Sequence, residues 1–142
     1  MGRQVELNHQ EADVPFTRIS LLRGKSADYI ANLSDTFHRA MVETFAVPAA
    51  DRFQVIQQCA PGELIFDRDY LGGTRSDDYV LFDVTIGKPR SAEVKQAFYR
   101  RAVGLLQEVL EIRPADVMIV ITSTERADWS FGNGRAQMLE RA

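Results

Sequence analysis

Apolar positions recur along the chain with two different periods, and the periods alternate. Phe16-Thr17-Arg18-Ile19-Ser20-Leu21-Leu22 is rich in β-branched and apolar residues and alternates as a strand does, with Pro15 at its head. Ser26 then stands where a helix N-cap is expected, and Ile30, Leu33, Phe37, Met41 and Phe45 follow at spacings of three and four. That stripe predicts a helix from Ser26 to about Ala46, ended by Pro48-Ala49-Ala50-Asp51. Arg52 to Gln58 reads as a second strand, Pro61-Gly62 as a turn, Glu63 to Phe66 as a short extended piece, and Leu71 to Ser76 as a loop. Tyr79 to Ile86 predicts a third strand, apolar enough to be buried. Ser91 caps a second helix with Val94, Phe98, Ala102, Leu105, Leu106 and Val109 on its inner stripe, and Asp116 to Thr122 predicts a fourth strand.

The two halves repeat. A shift of about 65 positions lays Ser26-Ala27-Asp28 on Ser91-Ala92-Glu93, Phe45 on Leu110, and Asp51 on Asp116. At the same shift Arg23 and Lys25 fall on Lys88 and Arg90, and Pro15 falls on Val80. The chain is therefore a duplicated β-α-β unit, with one copy roughly at 15–60 and the other at 79–123. Each unit is a parallel crossover, and the two together make a four-stranded mixed sheet with both helices on one face. The opposite face is left bare and apolar, which predicts an oligomer.

Composition narrows the class. With 142 residues and a net charge of −3, the chain forms one domain with a real core and no basic footprint for nucleic acid or membrane. Its apolar runs are too short to span a bilayer, its first residues lack a secretory core, and its one cysteine, Cys59, fits a reducing cytoplasm. Residues 1–14 are polar and aperiodic and read as a leading tail, at most an edge strand around Val5 to Leu7; residues 15–142 form the domain.

Candidate chemistry gathers at few positions. A proline at the head of a strand gives up no ladder N–H. As the first residue of a chain it would carry a free secondary amine that titrates near neutrality; behind an extension its nitrogen is a non-basic amide. Lys88 and Arg90 precede a helix N-terminus, where cations oppose the macrodipole and so ask for an anion. Arg23, Lys25 and Arg75 are weaker cation candidates. Asp51 and its mate Asp116 both precede a strand, where a carboxylate also satisfies backbone N–H groups. Trp129, the only tryptophan, and Phe131 sit in a glycine-bearing tail and read as pocket or interface residues, since an indole there must bury against something. His38 and Cys59 read as structural. No spacing suggests a metal, and neither Gly72-Gly73 nor Gly132-Asn133-Gly134 matches a phosphate cradle, so no cofactor is expected.

With the repeat, the strand-leading proline and the tail Asp128-Trp129-Ser130-Phe131-Gly132-Asn133-Gly134-Arg135-Ala136-Gln137 in view, the chain resembles the tautomerase superfamily from Pro15 to about Gln137. The branch it resembles is that of malonate semialdehyde decarboxylase. Pro15 with Arg23-Gly24-Lys25-Ser26 and Val47 to Arg52 supports that likeness. The resemblance implies trimers of paired β-α-β units and chemistry resting on an amino-terminal proline, matched by Pro15. It further implies a catalytic aspartate matched by Asp51 and two carboxylate-binding arginines matched by Lys88 and Arg90. Aromatic pocket walls are matched by Trp129 and Phe131. Lys88 departs from that pattern: it offers a point charge where a guanidinium offers a planar fork.

The expected function is cofactor-independent proton transfer on a small keto, enol or unsaturated carboxylate, extending to decarboxylation or hydration. The partners expected are that carboxylate and two further copies of the chain, with no nucleic acid and no membrane. The alternative is a silent trimeric binding module whose proline is blocked by the extension. A start at Val14, read from a GTG codon as initiator methionine and then excised, would expose Pro15. Gln10-Glu11-Ala12 can encode a ribosome-binding AGGAGG just upstream.

Overall fold

A computed structural model describes residues 15–140. Four seven-residue strands, β1 (Phe16–Leu22), β2 (Phe53–Cys59), β3 (Val80–Ile86) and β4 (Val117–Ser123), form one sheet in the order β2-β1-β3-β4. β1 pairs parallel with β2 and β3 parallel with β4, while the central pair, β1 and β3, is antiparallel. Each parallel pair is bridged by a nineteen-residue helix, α1 (Ala27–Phe45) or α2 (Ala92–Leu110). Parallel neighbours require such a crossover. A short α3 (Gln137–Glu140) closes the tail.

The duplication extends to the helix ends. Ser26 accepts from the Tyr29 amide at 3.0 Å and Ser91 from the Val94 amide at 3.1 Å. Both helices stop on a left-handed residue, Ala46 and Glu111. Each serine cap is worth about 1 kcal/mol to its helix.

The core lies between the sheet and the two helices. Ile19 and Leu21 of β1 and Val80, Phe82, Val84 and Ile86 of β3 face Leu33, Phe37, Met41, Phe98, Leu105 and Leu106. The Phe37 and Phe82 rings stack at 3.9 Å, and Phe98 meets Phe37 edge-on at 5.4 Å. Removing any of these rings should cost roughly 3–5 kcal/mol.

The other face is half apolar and open. Phe53, Val55, Met118 and Val120, on the two outer strands, are each 39–51% exposed. Between them run polar residues: Arg18 lies opposite Asp83 in register, and the Ser20 hydroxyl donates to Gln57 Oε1 at 3.2 Å.

Several local expectations need correction. Glu63 to Phe66 is turn and coil rather than an extended segment, because the Glu63 backbone and side chain both bond back to Ala60. Val109 is 45% exposed and Leu110 packs inward in its place. Asp116 belongs to a 3-10 turn (Pro114–Asp116) before β4, not to the strand, since proline favours the turn and supplies no ladder donor. Cys59 ends β2 and is half-buried. The suggested edge strand at Val5 to Leu7 and the suggested start at Val14 lie outside the described residues. No helix among the described residues is long and apolar enough to cross a membrane.

Candidate active site

Pro15 is buried at the head of β1, a central strand. Register decides its neighbours. Phe16 pairs with Phe53 on one side and with Thr85 on the other. One residue back, Pro15 therefore lies between the Asp51-Arg52 entry to β2 and the Ile86-Gly87 exit of β3. The first leads to Asp51; the second runs on through Lys88 to Arg90.

Asp51 sits on the short connection between α1 and β2. Its amide donates to the Pro48 carbonyl at 3.0 Å, and the Arg52 amide to Ala50 at 3.1 Å, so the chain turns tightly there. Both carboxylate oxygens are buried. Arg52 is tied back to α1 by Asp35 Oδ1 at 2.6 Å and Ser34 Oγ at 3.1 Å. His38, 5% exposed on α1, holds the same connection through Nε2 and the Ala49 carbonyl at 2.8 Å. Burial keeps the His38 imidazole below its ordinary pKa, and because a carbonyl only accepts, Nε2 carries the proton of this bond.

Arg90 is half-buried. Its guanidinium lies 5.1 Å from the Phe45 ring centre and donates to the Phe45 carbonyl at 2.9 Å and to the Lys88 carbonyl at 3.3 Å. The carbonyl at the end of α1 orients a charge that stands before α2. Lys88 is exposed and borders a cavity of about 410 Å³ shared with Gly87, Thr124, Glu125, Arg126 and Leu139.

The tail reaches this end of the sheet because β4 finishes there. Thr124 clips it to β3: its amide and its hydroxyl both donate to the Ile86 carbonyl at 2.8 Å. The same hydroxyl accepts from the Trp129 indole at 2.7 Å. Trp129 stacks near Phe131 with ring centres 5.8 Å apart, and Phe131 lies 6.0 Å from Phe53. Gln137 secures the loop between them, accepting from the Phe131 amide at 2.9 Å and donating to the Gly132 carbonyl at 2.8 Å.

All six sequence candidates, Pro15, Asp51, Lys88, Arg90, Trp129 and Phe131, thus belong to segments converging on one end of the sheet. The weaker cations do not join them. Lys25 pairs with Asp78 at the opposite end, and Arg75 donates to the carbonyls of Asp67 and Leu71 in its own loop. A cavity of about 570 Å³ also lies at that opposite end, between Phe66, Tyr79, Arg75 and Met118. Sequence reading gave no role of their own to Thr124, Gln137 and Phe53. Gln137 entered only as the last residue of the tail motif, and Phe53 carried a signal as an aromatic at a strand start directly after the Asp51 segment.

Two family models, both described as tautomerase enzyme, match residues 15–73 and 51–132. The chain is 39% identical over 127 residues to the probable tautomerase YusQ of Bacillus subtilis (strain 168), covering 89% of this chain and 100% of that protein. It superposes on malonate semialdehyde decarboxylase, solved in wild-type, first-proline-to-alanine and inactivated forms, with a TM-score of 0.83. That match has 40% identity and covers 88% of this chain and 96% of the other. A fused 4-OT solved as an asymmetric trimer shares the fold alone, at a TM-score of 0.70 and 16% identity, covering 88% and 98% of the two chains. A duplicated β-α-β sheet with a proline heading its central strand, matched at this identity over nearly its whole length, leaves one assignment: the chain belongs to the tautomerase superfamily, in the malonate semialdehyde decarboxylase-like branch.

Proposed function

We propose that this tautomerase-family enzyme moves protons on small keto, enol or unsaturated carboxylates without a cofactor, with the Pro15 amine as acid and base. The observation that carries the reading is the register of β1. It sets Pro15 between the segment bearing Asp51 and the segment bearing Lys88 and Arg90. Arg90, held from behind by the Phe45 carbonyl, binds the substrate carboxylate, and Lys88 adds a second positive charge. Trp129 and Phe131 cover the reacting carbons.

In ketonisation of an enol acid, the neutral amine takes the hydroxyl proton as the carbonyl forms and the ammonium returns a proton to carbon, so no co-reactant is consumed. In decarboxylation of a 3-oxo acid, the protonated amine donates to the carbonyl oxygen while the carbon–carbon bond breaks and carbon dioxide leaves. Asp51 orients the departing group, and the enolate then takes at carbon the proton that the ammonium had held in a hydrogen bond to its oxygen, leaving a neutral amine that solvent reprotonates. A free α-amine titrates near pH 8, and burial of the cation lowers that value, so both protonation states are accessible at neutral pH.

This chemistry needs a chain that starts at Pro15. Two versions test it, one beginning at Met1 and one at Met-Pro15, whose methionine is excised. Both are assayed on phenylenolpyruvate and malonate semialdehyde with their intact masses recorded. Activity is expected from the shorter version only. Equal activity from an intact longer version would remove Pro15 from the chemistry.

The open, half-apolar sheet face supports a homotrimer, the assembly in which the fused 4-OT of the same fold was solved. Sedimentation equilibrium at micromolar concentration should give three chains, and a monomer would refute the assembly.

A further inference from the structure

His38 is a buried titratable group for which the chemistry above has no use, yet it holds the segment that carries Asp51. The connection from α1 to β2 is pinned to α1 at two places that flank the aspartate. On one side the His38 ring donates to the Ala49 carbonyl, two residues before Asp51, at 2.8 Å. On the other, Arg52 pairs with Asp35, but that pair is exposed and so is worth little. The buried bond is the firmer pin.

The duplicated half handles the same problem differently. Val103 occupies the position of His38 and Pro114 that of Ala49. There the turn is set by the proline ring, and Asp116 is gripped directly by the Ser76 amide at 2.6 Å and the Ser76 hydroxyl at 2.7 Å. An imidazole therefore serves the turn only in the half that holds Pro15. We propose that His38 is a positioning residue for Asp51: its N–H fixes the Ala49 peptide, and through that peptide the direction of the Asp51 carboxylate. The proposal rests on the role given to Asp51 above.

The test uses the version beginning at Pro15 and four variants: His38→Leu, His38→Gln, Asp51→Asn and the double variant His38→Leu/Asp51→Asn. Malonate semialdehyde reports the Asp51-dependent reaction, and phenylenolpyruvate reports one that needs only Pro15 and the cations. His38→Leu should lower kcat for decarboxylation about tenfold to a hundredfold, the scale of a roughly 1 Å misplacement. KM and ketonisation should stay within about twofold. His38→Gln, which keeps a donor at similar reach, should recover most of the loss, and His38→Leu should add nothing in the Asp51→Asn background. Carboxyl-carbon NMR supplies a readout independent of turnover. The Asp51 resonance, assigned by its absence in Asp51→Asn, should move in His38→Leu and return in His38→Gln. An unmoved resonance, or equal losses on both substrates, overturns the proposal. If Asp51→Asn loses decarboxylation while His38→Leu does not, Asp51 keeps its role and His38 loses this one. If Asp51→Asn costs nothing, the role of Asp51 fails and this inference fails with it.

Discussion

The two ends of the sheet are copies of one design that differ in their local pairing. At one end stand Pro15, Asp51 and Arg90; at the other, their repeat mates Val80, Asp116 and Lys25. Asp116 is fully buried and saturated by its own chain, accepting two bonds from Ser76 with Arg113 3.7 Å away. Lys25 is bound by Asp78. Phe66, the mate of Phe131, stacks on Tyr79 at 4.1 Å. Charges at this second end are matched internally, and Val80 sits mid-chain with no ionisable group. At the first end the Arg90 guanidinium donates to the Phe45 and Lys88 carbonyls and lies over the Phe45 ring, so it is oriented by the end of α1 rather than by the loop that holds Lys25. Duplication supplied two equivalent frames, and local pairing differs between them: Asp116 and Lys25 are held by Ser76 and Asp78 of the loop before β3.

The comparison breaks most sharply at the strand heads. Pro15→Ala in the version beginning at that residue should lower kcat/KM about 10²- to 10⁴-fold, the usual contribution of a positioned acid–base group. Val80→Ala should leave kinetics untouched and show only in stability. Steady-state assays beside urea melts separate the two, and a Pro15→Ala enzyme of normal activity would erase the distinction between the ends.

The cations come next. Arg90→Ala should raise KM about tenfold or more, the loss of roughly 1.5–3 kcal/mol of charge-assisted bonding. Lys88→Ala should cost less, and Lys88→Arg should be neutral or tighten carboxylate binding. Lys25→Ala should change KM by less than twofold. A KM for Arg90→Ala equal to that of the parent would put the anion site elsewhere.

The aspartates should divide between stability and turnover. Asp116→Ala leaves the half-buried Ser76 amide and hydroxyl without their buried acceptor and should lower unfolding free energy by about 1–3 kcal/mol in urea, with KM unchanged. Asp51→Asn should show the reverse pattern, little change in the melt and a loss of decarboxylation.

The smallest effect is a pH dependence. His38 is held below its ordinary pKa by burial, so the unfolded chain takes up a proton before the native state does as pH falls. Its contribution to stability is therefore full above about pH 6.5 and declines as pH drops from there through the lower native value. His38→Gln should flatten that part of the stability–pH curve, read from urea midpoints between about pH 5 and 7. An unchanged slope would mean that the native imidazole already protonates as the unfolded one does.

Much of this was legible in the residues. The alternation of Phe16 to Leu22, the stripes of Leu33, Phe37 and Met41 and of Phe98, Ala102 and Leu105, and the paired serines Ser26 and Ser91 determined the strands, the helices and their duplication. These are local signals, written in periods of two and 3.6 and in capping bonds that span three residues. Glu63 to Phe66 misled because its short apolar spacing carries no information about the Ala60 bonds that curl it. What only the tertiary structure decided are the pairings between residues far apart. His38 meets Ala49 across a helix end, Arg90 meets the Phe45 carbonyl across two units, and Thr124 joins Ile86 to Trp129. The repeat makes Asp51 and Asp116 equivalent in the chain, yet Ser76 grips only Asp116, a contact that spans 40 residues. Local sequence sets which elements form, but a polar side chain's partner is set by register and packing, where segments distant in the chain are brought within hydrogen-bond reach.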